Sequence, residues 1–302
     1  MSNKLVVKTN RLIEALQTLT LAETRLLQLA IVEARESGHC LNASVPLSIN
    51  ATEYAKEFGV SNEAGYLALK SAEETLFERR FTILGIDKKP IKSRWVQDVK
   101  YVEDEGRIEV TLSRVVVNEV TQIDGLKDFF TSYLLEKTST LNSIYAIRLY
   151  ELLIQWKKVR KTPIFEIETF RNQLGLGVNE YKQMNNFKAR VLDLAVEQIN
   201  NRTDINVKYQ QHKKGVKILG FSFSFKFKEE KTQIKLSNKQ IALFSAQIAR
   251  AVIENRSPIF AQLSVLAPAG ATESEFIQKI AEDLKNDQVA KYYDALMELG
   301  FK

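Results

Sequence analysis

The side chains best suited to chemistry in this 302-residue chain are amides and a guanidinium gathered around residues 182–190. The spacing predicts a helix over 184–199. At 100° per residue, Phe187, Val191, Leu194, Ala195 and Ile199 share one face, which packs inward. The opposite face carries Asn186, Ala189, Arg190, Asp193 and Glu197. Lys182 and Gln183 precede the helix, and Asn185 and Lys188 sit on its N-terminal flank. Arg can grip O6 and N7 of guanine, and Asn or Gln can grip N6 and N7 of adenine. The small Ala189 would let the helix approach such a surface closely. A plain amphipathic helix with a solvated outer face is the competing reading.

A predicted hairpin follows at 207–227. It has a basic turn at Lys213-Lys214-Gly215, with Lys208 and Lys217 beside it. Such lysines reach phosphates, which position a protein but read no base sequence. Phe221, Phe223, Phe225 and Phe227 alternate to one side. An aromatic stripe can stack single-stranded bases. The basic residue such a strand carries before its Gly is Leu219 here, so packing beneath the helices accounts better for the stripe.

Catalytic groupings are thin. There are two histidines, His39 and His212, and one cysteine, Cys40. Neither CxxC nor HExxH occurs, so a metal site lacks ligands. Gly175-Leu176-Gly177 lacks the third Gly of a dinucleotide fingerprint. Glu103, Asp104 and Glu105 precede a Gly and read as a solvated turn. The expectation is no enzyme, no catalytic residue, no metal and no cofactor.

The elements that would position these groups occur twice. The first copy has a helix at 22–35, a strand at 45–49, a helix at 50–60, a longer helix at 61–81 and alternating strands to Leu112. The second has a helix at 143–160, a strand at 163–167, a helix at 168–178, a longer helix at 179–201 and strands to Phe227. Gly59-Val60 and Gly177-Val178 mark equivalent points. Helix, helix, longer helix and hairpin is the order of a winged helix-turn-helix. In the first copy, Leu69, Ala72, Leu76 and Phe77 point inward, while Asn62, Tyr66 and Lys70 lie near the start of the outer face. Lys88 and Lys89, in a turn between strands, could add contacts.

The net charge is +6. Residues 1–130 hold 17 Lys/Arg against 19 Asp/Glu, and residues 131–230 hold 17 against 10. Positive charge gathered on one module is the footprint of a polyanion partner. No apolar run reaches membrane-span length, and a single cysteine forms no intrachain disulfide. A cytoplasmic protein of a bacterium, with no membrane partner, is expected. Gly125 and its polar neighbours place a domain boundary at 123–128, residues 228–238 read as a charged linker, and three helical stretches follow at 239–255, 274–286 and 288–299. The strand at 107–112 alternates cleanly and reads as one that could pair at a sheet edge.

Three segments together resemble the iteron-binding replication initiators of theta-replicating plasmids, the RepB/RepE type. Residues 6–31 look like that family's opening, 129–158 its entry into the second winged helix, and 165–176 with 181–205 its recognition region. The resemblance covers about residues 4–228, and Ile144 stands where the family often has a basic residue. It implies an α+β fold of two tandem winged helix-turn-helix domains, 1–128 for auxiliary DNA contacts and dimerisation and 129–230 as the main DNA-binding domain. A small helical module at 238–302 lies outside it. The implied function is replication initiation: monomers bind direct repeats of origin double-stranded DNA and promote duplex opening. They recruit the host replication initiator and the replicative helicase, and homodimers formed through the first domain repress their own gene. A winged-helix repressor without initiator activity is the alternative. A rolling-circle nicking enzyme would need paired histidines that the sequence lacks.

Overall fold

The computed structural model describes residues 4–38, 44–85, 87–121, 130–228, 236–267, 272–286 and 289–301. His39, Cys40 and the boundary segment 123–128 lie outside these, as does most of the 228–238 linker. The chain forms two compact units, Met1–Lys228 and Glu229–Lys302.

The first unit begins with β1 (Leu5–Thr9), α1 (Asn10–Ile13), β2 (Leu16–Gln17) and α2 (Leu21–Glu36). Thr20 opens α2 by accepting from the Glu23 amide, and the Glu23 carboxylate answers on the Thr20 amide, a capping box. Next come β3 (Leu47–Asn50), α3 (Ala51–Phe58) and α4 (Asn62–Leu76). Then follow β4 (Arg80–Leu84), β5 (Pro90–Arg94), β6 (Val96–Val102), β7 (Arg107–Leu112) and α5 (Arg114–Val120). The second copy runs β8 (Phe130–Leu134), α6 (Glu136–Ser139), α7 (Ile144–Ile154), β9 (Phe165–Glu166) and α8 (Ile167–Gln173). Its long helix is α9 (Met184–Phe187), a π-turn at Lys188–Leu192 and α10 (Asp193–Arg202), followed by β10 (Ile205–Lys214) and β11 (Lys217–Phe227).

The duplication is topological as well as sequential. One sheet has the order β3-β7-β6 and another β9-β11-β10. In both, the strand entering the helix pair lies beside the second strand of the wing. The fold is therefore two winged helices. Two departures from the expected strands matter. The 107–112 strand is β7, flanked on both sides by β3 and β6, so it has no free edge. The turn at 87–90 leads into β5, which pairs with β4 rather than extending into β6, and the buried Trp95 breaks the strand between them. α1 is a single turn, because β2 takes residues 16–17 into a third sheet, β2-β4-β5.

One core runs through both copies. β1 pairs with β8 residue for residue, from Leu5 opposite Leu134 to Thr9 opposite Phe130. Beneath this pair lies a buried polar cluster centred on Glu151. Lys8 Nζ and Tyr133 OH each donate to Glu151 Oε1 at 2.6 Å, and Arg148 Nη1 donates to Oε2 at 3.1 Å. Arg148 also donates to the carbonyls of Ile13 at 2.6 Å, Ala15 at 3.1 Å and Gln173 at 3.0 Å. Burial alone would raise the Glu151 carboxyl, but Lys8 and Arg148 outweigh it and hold it below the usual carboxylate range.

The second unit, α11 (Asn238–Ile253), α12 (Pro258–Leu263), α13 (Glu273–Lys285) and α14 (Tyr293–Glu298), has a core of its own built on Phe244, Ile248, Phe260, Ile280 and Tyr292. Capping boxes start α11 at Ser237 and α13 at Thr272. The spacing missed α12, a short helix that Pro258 initiates at its first turn.

Removing one partner of a buried, hydrogen-bonded ion pair leaves the others uncompensated. Glu151→Gln should therefore cost about 3–5 kcal/mol of unfolding free energy. Because the folded carboxyl lies below its ordinary value of 4.5, its contribution is complete above that value. It is lost as pH falls through the lowered folded value. Urea denaturation of both proteins from pH 7 to pH 3 checks this. The variant should be weaker at pH 7 and the gap should close on acidification, whereas equal midpoints at pH 7 would remove Glu151 from that role.

Candidate nucleic-acid interface

The approach to the long helix is held by one arginine. α8 ends where the Leu176 amide donates back to Arg171 O at 3.1 Å around Gly175, whose φ is +88°. α3 ends the same way, with the Val60 amide on Ala55 O at 3.0 Å around Gly59 at φ +62°. The point equivalent to Gly59-Val60 is thus Gly175-Leu176, not Gly177-Val178. A side chain at Gly175 would also meet Gln17 O at 2.9 Å. Beyond it, the Arg171 guanidinium donates to the carbonyls of Tyr181 at 3.1 Å and Glu180 at 2.5 Å and lies 5.0 Å over the Phe187 ring. The 176–183 loop is longer than the 60–61 connection in the first copy, so the second long helix starts at Met184 rather than near 179.

The π-turn changes which residues that helix presents. Phe187, Val191, Leu192, Ala195 and Ile199 are buried, and Leu194 is 45% exposed. A π-turn spends one residue more than an α-turn. Leu192 therefore takes the inward place that even 100° spacing assigns to Leu194, and Leu194 rotates out. The outer face stays as expected: Lys182, Gln183, Asn185, Asn186, Ala189, Arg190, Asp193 and Glu197 are exposed. Among the described residues Arg190 forms no ion pair. Asn186 donates to Gln183 Oε1 at 3.3 Å. Lys188 is half-buried, its ammonium 5.9 Å over the Tyr209 ring. Tyr209 OH donates to Asp193 Oδ1 at 2.7 Å, and burial, then this carboxylate, pushes the phenol well up. The one carboxylate in the middle of the face is thereby turned onto the wing.

The wing itself divides. Lys213, Lys214 and Lys217 are exposed at its tip. Lys208 is not with them. Val207 is buried and Tyr209 packs against Phe221 and Phe223, so Lys208 points from the opposite side of β10. There it lines, with Lys161, Gln210, Ser222 and Ser224, a cleft of about 360 Å³. His212 shares that side, its Nε2 2.7 Å from Ser222 Oγ. Phe221, Phe223 and Phe225 are core residues, while Phe227 is partly exposed under Arg160 at 5.8 Å.

The first copy is arranged differently. Lys70 Nζ and Tyr66 OH both reach Glu103 Oε1, at 3.1 and 3.4 Å, and Lys70 holds that carboxyl below its usual range. Glu103 belongs to the wing turn between β6 and β7, so the wing occupies the groups expected to face outward. Asn62 stays exposed at the start of α4. Lys88 and Lys89 sit exposed at the tip of the β4–β5 hairpin, a separate hairpin from the wing, with Lys89 Nζ 3.8 Å from Asp87. Phe77 lies past the end of α4, exposed beneath Arg94 at 4.6 Å rather than in the core. Sequence periodicity alone did not reveal Arg171; it lies on the helix preceding the candidate face and acts on carbonyls distant in pattern. Among the described residues no group of three His, Cys, Asp or Glu could hold a metal, and no helix is long and apolar enough to cross a membrane.

Comparison with known proteins agrees with this architecture. The Pi initiator protein solved in complex with iteron DNA matches with a TM-score of 0.62 at 22% identity, over 76% of this chain and 100% of that one. The WH1 domain of MSBI1.176, a replication protein isolated from a multiple sclerosis patient, is 36% identical over 35% of this chain and 88% of its own, with a TM-score of 0.31. Residues 5–154 match the family described as Initiator Replication protein, WH1, and residues 166–225 match Initiator Rep protein, WH2. With the duplicated winged helix and these two matches together, the chain belongs to the replication initiator protein family.

Proposed function

We propose that this chain initiates plasmid replication by binding direct repeats of origin duplex as a monomer, opening the adjacent duplex and recruiting the host replication initiator and replicative helicase. The observation that carries the reading is the exposed row Gln183, Asn185, Asn186, Ala189 and Arg190, with a lysine-tipped wing on the following hairpin. In this reading α9 and α10 enter the major groove, Arg190 and the amides contact base edges, and Lys182, Lys213, Lys214 and Lys217 hold phosphates. The Pi neighbour's iteron complex supports the same partner. The second winged helix, with its +7 balance, is the main DNA-binding part, and the first supplies auxiliary contacts through Asn62, Lys88 and Lys89. A dimer formed through the first winged helix represses the chain's own gene and withholds monomers from the repeats. Since β7 is sealed on both sides, the strand offered for that dimer is β5, at the open end of its sheet, with exposed Ile91 and neighbouring Leu84.

Arg190→Ala should cost about 1–3 kcal/mol on the repeat and relax base preference, the loss of a bidentate base contact. Lys214→Ala should weaken every sequence alike and flatten the salt dependence by about one unit of slope. Titrations on repeat and scrambled duplexes at several salt concentrations read both; equal losses on the two duplexes for Arg190→Ala would end its readout role.

Dilution should raise the fraction of protein able to bind a single repeat, because a dimer that must dissociate first lowers apparent affinity by the competent fraction. Ile91→Lys should shift the balance to monomer without touching the core. Sedimentation velocity beside repeat-binding titrations decides, and full-length protein that stays monomeric at high concentration would remove the switch.

A further inference from the structure

Only Gly215 and Val216 join β10 to β11. Such tight turns ordinarily take Gly, Asn or Asp, which suit their backbone and their exposure to water. Gly215 fits, with φ +61°. Val216 sits in ordinary backbone with negative φ, yet it is apolar and 100% exposed where such turns ordinarily carry a polar residue. A single exposed apolar residue is ordinary on a protein surface. Three further features make this one different. Lys213, Lys214 and Lys217 surround it, all exposed. The register of the hairpin shifts between His212, opposite Gly220, and Lys213, opposite Ile218. Leu219 is therefore the extra residue of a β-bulge, the device by which a strand pair re-aims its end. Leu219 is itself 39% exposed, so the re-aimed tip carries a second apolar group.

We infer that Val216 is an apolar wedge, which the lysine collar carries into the minor groove of the bound duplex, where it bends the DNA. The inference rests on the reading of this chain as a duplex-binding initiator. The charge of the collar selects a polyanion, and an apolar group set between cations on a duplex cannot rest on a phosphate. It must pass between the two phosphate rows to the sugar walls and base edges. The minor groove is about 6 Å wide, too narrow for a helix but open to the end of a two-residue turn. Apolar side chains inserted there partly unstack a base step and kink the duplex toward the major groove. The lysines on either side then follow the bent backbone. Unstacking a step beside each repeat would lower the work of opening the neighbouring duplex, so the wedge adds deformation to a wing that otherwise only positions.

The test uses full-length protein and a duplex carrying one direct repeat taken from the DNA flanking the coding sequence. Fluorophores on both ends report the bend, and a 2-aminopurine scanned through the steps under the wing reports unstacking. Wild type should bring the ends closer and brighten one step. Val216→Ser should lose both signals while affinity falls by about tenfold, near the low end of what covering one Val is worth. Its salt slope should stay at the wild-type value, because every lysine remains. Val216→Leu should restore the bend. An unchanged bend in Val216→Ser, or a wild-type complex that forms on the straight duplex, would overturn the wedge while leaving repeat binding intact. A wild-type protein that binds no repeat duplex would overturn the underlying reading and the wedge with it.

Discussion

The Glu151 carboxylate is the tie on which the first unit depends. It lies on α7, the opening helix of the second winged helix, yet one of its partners, Lys8, comes from the N-terminal strand. Arg148, one turn away, spends its remaining donors on carbonyls at Ile13 and Ala15 in the first copy and at Gln173, the end of α8. A planar guanidinium with five fixed donors can hold three chain segments at once in a way that a lysine cannot. Charges buried this deeply are costly unless geometry and hydrogen bonding are complete. Their return is a fixed relation between the two copies, and because Gln173 leads into the 176–183 loop, the cluster reaches toward the candidate interface.

From that anchor the second copy builds its exposed face through local means. Gly175 turns the chain, Arg171 secures the loop carbonyls, and the π-turn at Lys188–Leu192 lets both Val191 and Leu192 face the core. π-turns inside helices are often found at functional sites. Here the turn falls on the stretch bearing Ala189 and Arg190, so the residues aimed outward are set by an irregularity that the core demands.

The two copies share a topology and differ in what they expose. The second wing ends in lysines, the first in Glu103, Asp104 and Glu105, where Glu103 takes up Lys70 and Tyr66 and Glu105 pairs with Arg107 at 2.7 Å. A phosphate row would meet repulsion at the first wing and attraction at the second. The same fold thus separates into one polar, self-satisfied module and one with open cations.

The sequence by itself determined the duplication, the winged-helix order, the outer residues of the long helix and the lysines of the wing tip. These follow from short-range rules: helical periodicity, strand alternation, turn residues and the local density of charge. Tertiary structure decided the rest. Leu194 faces out and Leu192 in because the core admits a π-turn that no periodicity announces. β7 is central rather than an edge because β3, far earlier in the chain, pairs with it. Lys70 and Tyr66 are occupied because a wing turn some 33 residues onward places Glu103 against them. In each case the deciding partner is distant in sequence, and a contact between distant residues leaves no mark on the local pattern of either.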